Sequence, residues 1–471
     1  MSEHSFEEHL ANEDDFELRS RAKKRRVAVG IASAVANIAS SIVSFAGRSF
    51  NYGGGRKSGA KTIKRDRVDI DKQIHQLDDR HFRRKYRMDK DSFYQLLDII
   101  SPHLPQTGAK RTKPGTVPNG VITHSARLSM GLRVAAGGDP LDIATNHGVG
   151  LGEPMTSFWY VVDAIHKSKQ LDINFPECHM EQQKLSEEFK RKSDIGICHC
   201  VGAIDGILIW VHKPTEADCE KMGFGPVKFF CGRKKKFGLN MQAVCDARKR
   251  FLWVDIRFPG STSDFFAFEQ SSLKKDLERD GFLYPGLCLF GDAAYVNAPF
   301  MCVPFRNVSE ATNVPKDAFN FFQSQLRINI ECAFGMLVHR FGILRKPFPI
   351  NVSITKTNSA VLALCKLHNF CIETNRDDDL IFSADQRDAS NIMLDGGMVL
   401  PRIDAAGGHF WQYDEEDDRL NALLDGGDHT DDHTPAARRR YYRHGVDLPY
   451  QQIHNYVREN HIRRPARSQR R

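Results

Sequence analysis

The chain has 471 residues, of which 41% are hydrophobic and 27% charged, and a formal net charge of +8. This length allows two or three regions and a sizeable core, and the composition is that of a soluble globular protein rather than one dominated by disorder or membrane spans. The charge is uneven: positions 438–471 hold ten Arg against Asp447 and Glu459, so the rest of the chain sums to roughly zero.

In chain order, Met1–Ser20 is acidic. Val27–Ala46 follows Lys23, Lys24, Arg25 and Arg26 and is rich in Val, Ile, Ala and Ser. It is long enough for a bilayer span, but Asn37, the serines and the lack of Leu argue against one, and membrane association is not expected. Positions 51–72 read as a Gly-rich and then mixed-charge linker, and ordered structure is expected from about Asp79. Tyr86–Leu104 is predicted helical, with Phe93, Leu96, Leu97 and Ile100 at helical spacing and Pro102 at the end. Ile122–Ala136 is a second helix candidate. Pro140–His147 and Thr156–Ser168, with Gly148 and Gly150 between them, read as a helix-turn-helix or an ordinary helical hairpin. Leu185–Lys192 is a further short helix. Eleven scattered Cys, with no secretory leader pattern, point to free thiols. Cys198 and Cys200 flank His199, yet the paired spacing of a zinc site is missing.

From Cys200 the period changes to that of strands. Gly202–Val211 is an apolar strand. Leu239–Cys245 alternates, with Leu239, Met241, Ala243 and Cys245 on one face. Phe251–Phe258 alternates as well, and the polar Asp246–Arg250 between them reads as a hairpin loop. Ser263–Glu278 follows as a helix, Leu287–Phe290 as a short buried strand and Phe319–Arg340 as a long helix. This order predicts a mixed α/β layer with helices covering a sheet. After Asn375 the pattern weakens, and the chain is expected to be largely flexible up to its Arg-rich end.

Three acids stand out by context. Asp205 interrupts an apolar strand, where an ionised carboxylate needs compensation. Asp292 directly follows LCLFG, at the C-terminal end of a second buried strand, the rim where open α/β sheets bind ligands. Glu331 lies just beside the stripe Phe319, Phe322, Leu326, Ile330, Phe334, Leu337 and Phe341 on the long helix, which would hold it against that rim. Two Asp and one Glu form a hard, all-oxygen set suited to Mg²⁺ or Mn²⁺. Two such ions, roughly 4 Å apart, support phosphodiester cleavage. Each acid also has a plainer role: Asp205 held by backbone N–H groups near Gly206, Asp292 as a cap, Glu331 paired with Arg327 four residues earlier. Asp264 in FPGSTSD reads as a helix cap or a supporting acid. Arg233, Lys234, Lys235 and Lys236, four consecutive cations before a strand, are candidates for a phosphate backbone or a solvated turn. Arg438, Arg439 and Arg440 open the basic tail, an arm for phosphates, a nuclear import signal or a solvated end.

Several ordered blocks together resemble the PIF/Harbinger-type transposases and Harbinger-derived nucleases of the DDE superfamily. GAIDGILIWV resembles the family's first-Asp strand, RKKKFGLNMQAVCDARKRFLWVDIRFPGSTSD its hairpin and Pro-Gly-Ser segment, and LFGDAAY its second-Asp block. FNFFQSQLRINIECAFGMLVHRFGIL resembles the Glu helix and LCKLHNFCIE the closing helix, while FRRKYRMDKDSFYQLLDIISPHL and the Asp142–Lys167 region are similar to the N-terminal helical part. Coverage runs from about Phe82 to Glu373. The resemblance implies an RNase H-like fold with Asp205, Asp292 and Glu331 as catalytic metal ligands, and divalent-metal-dependent cleavage and joining of double-stranded DNA. It also implies a separate Myb/SANT-like partner for DNA binding and a homo-oligomer. Ile207 and Leu208 replace the Thr-His that often follows the first Asp-Gly, and the Ala-rich N-terminal segment has no counterpart.

The expected architecture is therefore α/β: an RNase H-like mixed sheet covered by helices, preceded by an N-terminal helical region. Its divisions are 1–78 linker, 79–195 helical, 196–375 nuclease domain and 376–471 mostly flexible. The expected function is a two-metal DNA endonuclease or transposase of the nucleus, with some cytoplasmic presence allowed. The alternative is a domesticated, catalytically silent DNA-binding or scaffolding protein that keeps the fold.

Overall fold

The computed structural model describes residues 65–105, 121–309, 311–349, 352–374 and 448–465. Val27–Ala46 and Arg438, Arg439 and Arg440 lie outside the described residues, and no described helix is long and apolar enough to cross a membrane. Helices come first: α1 (Ile70–Gln76), α2 (Asp79–Tyr86), α3 (Lys90–Ile100), α4 (His124–Ala135), α5 (Pro140–His147), α6 (Glu153–Lys167) and α7 (His179–Lys190). Helical structure thus begins before Asp79, because Asp69 caps α1 by accepting from the Lys72 amide. The helix expected over Tyr86–Leu104 is divided. Arg87 adopts φ 65°, which ends α2, and the Asp89 carboxylate accepts from the Ser92 amide to start α3.

The pair α5 and α6 is present. Met155, Phe158, Val161, Val162, Ala164 and Ile165 are buried against neighbouring helices, including α4, and Thr156, Asp163 and Lys167 are exposed.

The sheet follows as β1 (Cys200–Trp210), β2 (Phe230–Cys231), β3 (Lys236–Cys245), β4 (Phe251–Pro259), β5 (Cys288–Phe290) and β6 (Met301–Cys302). A short helix α8 (Glu216–Met222) lies between β1 and β2, and α9 (Asp264–Glu269) and α10 (Ser272–Leu277) lie between β4 and β5. The single helix expected over Ser263–Glu278 breaks in two because Ser271 caps a new start through the Lys274 amide. Spatial order is β4, β3, β1, β5, β6, with β2 paired to the first residues of β3. β1 is antiparallel to β3 and parallel to β5, so the sheet is mixed. Leu239, Met241, Ala243 and Cys245 face the larger core, as their alternation predicts. The alternation expected in β4 does not survive: register shifts opposite Asn240–Gln242 and Val244–Cys245 send Phe251 and Ile256 to one core and Leu252 to the other.

Helix α11 (Val314–Arg340) lies on β1, β3 and β5 through the predicted stripe, every member of which is buried. Helix α12 (Ile354–Thr374) packs on β4 and α6, and its Asn369 side chain bonds both the amide and the carbonyl of Phe251. Helix α13 (Pro449–Glu459) lies within the Arg-rich end of the chain. Tyr450, Ile453 and Val457 are buried, the helix packs on α11, and Arg464 pairs with Asp317 at 2.9 Å. All eleven cysteines are free thiols. Cys198 is exposed and Cys200 buried, and they do not form a ligand set with His199.

One consequence concerns pH. His368 of α12 is buried with its Nε2 bonded to the Lys249 carbonyl at 2.9 Å, and burial lowers its pKa from 6.5 to about 3. The neutral ring is the folded form, so stability is complete above pH 6.5 and is lost as pH falls toward 3. Denaturation is expected to become easier by about 1.4 kcal/mol per pH unit from this group below pH 6. Urea melts at pH 7 and 5 check this, and His368→Asn should flatten the dependence.

Candidate active site

The register of two parallel strands sets the centre of the site. Ala203 of β1 pairs with Phe290 of β5. Asp205 and Asp292 are each two residues further along, Asp205 in the middle of β1 and Asp292 just past the end of β5, which places them side by side where neighbouring chains run roughly 4.8 Å apart. Here β1 emerges from the core: Cys200–Ile204 are fully buried, whereas Asp205–Leu208 are half-buried. The Asp205 side chain is 18% exposed. Its Oδ1 accepts from the Gly206 amide at 2.8 Å, and Asp292 Oδ1 accepts from the Ala294 amide at 2.8 Å. The plainer backbone-held roles are therefore also realised, alongside the juxtaposition.

A third carboxylate belongs to the cluster. Asp264, in the first turn of α9, accepts from Asn240 Nδ2 at 3.0 Å and from Gln242 Nε2 at 2.6 Å. Gln242 in turn accepts from the Tyr295 hydroxyl at 2.5 Å. Gly206 makes this approach feasible, since a Cβ there would lie 2.1 Å from Asp264 Oδ1 and 2.4 Å from Gln242 Nε2. Burial, then the Asp292 and Asp264 charges, push the Asp205 carboxyl well above the usual carboxylate range. Burial and Asp264 raise Asp292 too, against the pull of the Ala294 amide, Arg327 and Arg233. The cluster thus has more negative charge than its surroundings compensate.

Glu331 is placed differently from the other two predicted acids. Its side chain is 45% exposed on the flank of α11, and its Oε1 takes Arg327 Nη1 at 2.5 Å. That guanidinium, 17% exposed, also lies 3.8 Å from Asp205 Oδ2. Arg327 therefore stands between Glu331 and the Asp pair, and no three acidic, His or Cys side chains among the described residues are arranged around a common ion position. Burial works against the charge on Arg327, but Glu331, Asp205 and Asp292 outweigh it and raise its pKa.

The predicted basic run forms the turn from β2 into β3. Arg233, Lys234 and Lys235 are exposed, Lys235 with φ 52°, while Lys236 lies with its Nζ 3.2 Å from the Trp210 ring centroid. Arg233 is close enough for its charge to lower the Asp292 carboxyl, so this turn borders the acid cluster. Among the participating residues, Arg327, Gln242 and Tyr295 had not been singled out for the site, and Asp264 had been read only as a cap or a supporting acid. The one signal in the sequence was the pair Asn240 and Gln242, polar residues on the second face of an otherwise apolar strand.

Residues 204–369 match the family described as DDE superfamily endonuclease. The protein named "Putative nuclease HARBI1" of Bos taurus is 26% identical over 219 residues, covering 46% of this chain and 58% of that relative; its Homo sapiens counterpart gives the same values. "Protein ALP1-like" of Arabidopsis thaliana is 20% identical over 308 residues, covering 63% of this chain and 71% of the relative. No solved structure matches the chain. The Harbinger-related nuclease family expected from the motif blocks is the one these likenesses return.

Proposed function

From the premise that residues 204–369 are a DDE superfamily endonuclease domain, we propose that the chain is a divalent-cation-dependent nuclease of transposase type acting on duplex DNA. The observation that carries this reading is the side-by-side placement of Asp205, within β1, and Asp292, just past the end of the parallel β5. Both carboxyls are raised by burial and by nearby acids, including Asp264. The donor set fits a hard dication: the donors are oxygens only, the acids repel one another, and Mg²⁺ or Mn²⁺ prefer such ligands. Asp205 and Asp292 would hold the ion or ion pair, and Glu331 would join them once Arg327 releases it. A bound dication supplies Lewis-acid stabilisation of charge on the phosphate and on the leaving 3′ oxygen. Glu331, freed in the same way, would help orient an attacking water. Arg233, Lys234 and Lys235 would hold the flanking phosphates, which makes binding strongly salt-dependent. The mixed strand order with α11 across it supports an RNase H-like reading, and action on DNA makes the nucleus the proposed place of work.

A second reading rests on the same Arg327–Glu331 pair: a silent DNA-binding protein in which the guanidinium keeps the acids apart. Purified full-length protein and Asp292→Asn, incubated with supercoiled plasmid and Mn²⁺ or EDTA, distinguish the two. Nicking by the unaltered chain alone, and only with Mn²⁺, is expected. Equal retardation of DNA by both, with no nicking, would replace the nuclease with the silent binder.

A further inference from the structure

We propose that Arg327 is a resident placeholder for the dication: in the metal-free protein its guanidinium supplies the positive charge between Asp205 and Glu331, and cation binding requires it to withdraw. The inference rests on the nuclease reading for the identity of the incoming ion, while the placement of Arg327 is independent of it. Three observations support it. First, Arg327 is mostly buried, whereas its hydrogen-bonded partner Glu331 is nearly half exposed. An exposed helical ion pair of this spacing contributes only a few tenths of a kcal/mol, too little to account for drawing a guanidinium out of water. Second, Arg327 opposes the raised state of both Asp205 and Asp292, so it acts on the pair and not on one member.

Third, the two contacts differ in kind. The 2.5 Å bond to Glu331 is a charge-assisted hydrogen bond, whereas 3.8 Å to Asp205 is an electrostatic approach without one. Arg327 and Glu331 share one helix four residues apart. The guanidinium can therefore leave Asp205 through side-chain rotation alone. A dication entering beside Asp205 meets a like charge a few ångströms away, and that repulsion lowers its affinity until the arginine moves. Arg327 is accordingly a positioning residue that acts through the acids.

The test is Mn²⁺ binding, read from the electron paramagnetic resonance signal of free Mn²⁺, to the full-length protein stripped with EDTA. Arg327→Gln is expected to bind Mn²⁺ roughly tenfold more tightly than the unaltered chain, Arg327→Lys to bind close to it, and Asp205→Asn to lose the site. In EDTA, Arg327→Gln should melt lower than the unaltered protein and gain more from added Mn²⁺. If that variant fails to fold, Arg327→Met, which keeps the length and packing of the stem, takes its place with the same expectation. Unchanged or weaker Mn²⁺ binding in the folded variant overturns the placeholder and leaves the nuclease reading intact, since Arg327 would then be bracing Glu331. Binding that depends on Asp205 in Arg327→Gln but not in the unaltered chain supports the placeholder in its strongest form. No Asp205-dependent binding in any variant overturns both.

Discussion

Asp205→Asn is expected to abolish DNA nicking and, in the absence of metal, to raise the melting temperature. The first effect follows from removing one of two adjoining carboxylates at the sheet, a loss on the scale of roughly 10³-fold for a preorganised electrostatic group. The second follows from the repulsion within the cluster. Burial and the charges of Asp292 and Asp264 raise the Asp205 carboxyl above its unfolded value. A carboxyl raised in this way favours the fold while protonated and disfavours it once ionised. The gain from Asn should therefore be absent at pH values low enough to protonate the acid in both states, and should grow as pH rises through the folded value. Asn keeps an oxygen for the Gly206 amide, so the backbone contact survives the change. Thermal melts in EDTA at pH 5 and 8 provide the measurement, with a shift of roughly 2–4 °C for each kcal/mol of relieved repulsion. A variant that melts lower at both pH values would show that the Asp205 charge is compensated within the fold.

Gly206→Ala should damage the site without touching any carboxylate. The new methyl would lie 2.1 Å from Asp264 Oδ1 and 2.4 Å from Gln242 Nε2. Neither atom is free to yield. Asp264 is held by the amides of Asn240 and Gln242, and Gln242 is held from its other end by Tyr295. Overpacking of this kind costs about 1–3 kcal/mol, and displacing groups that orient an acid pair costs about 10–100-fold in metal affinity or activity. Denaturant melts and Mn²⁺ titration measure the two effects. Adding Asp264→Ser should restore part of the stability, because the smaller side chain vacates the clash and the two changes are coupled. If the double variant is no more stable than Gly206→Ala alone, the contact with Asp264 is not what makes glycine necessary.

The wider chain shows the same division between what is local and what is not. Local pattern determined β1, β3 and α11, because an apolar run, a period of two and an apolar stripe at 3.6 are properties of neighbouring residues, whereas in β4 it gave the strand but not the facing of its side chains. It also marked Asp205 and Asp292, since a charge within or just after an apolar strand is conspicuous without any partner. Element ends were less legible. The break at Arg87 and the new start at Ser271 depend on single caps, and α13 was overlooked although Tyr450, Ile453 and Val457 carry helical spacing.

Which charges meet was decided only by the tertiary structure. Strand register brings Asp205 beside Asp292, the approach of α9 adds Asp264, and the turn before β3 brings Arg233 near Asp292. The rotation of α11 decides that Arg327, one position from the apolar Leu326, faces the acids while Glu331 looks outward. Hydrophobic periodicity places a face to within roughly one residue, or 100° of helix rotation. Electrostatic contact depends on a few ångströms, and only packed elements set distances that finely.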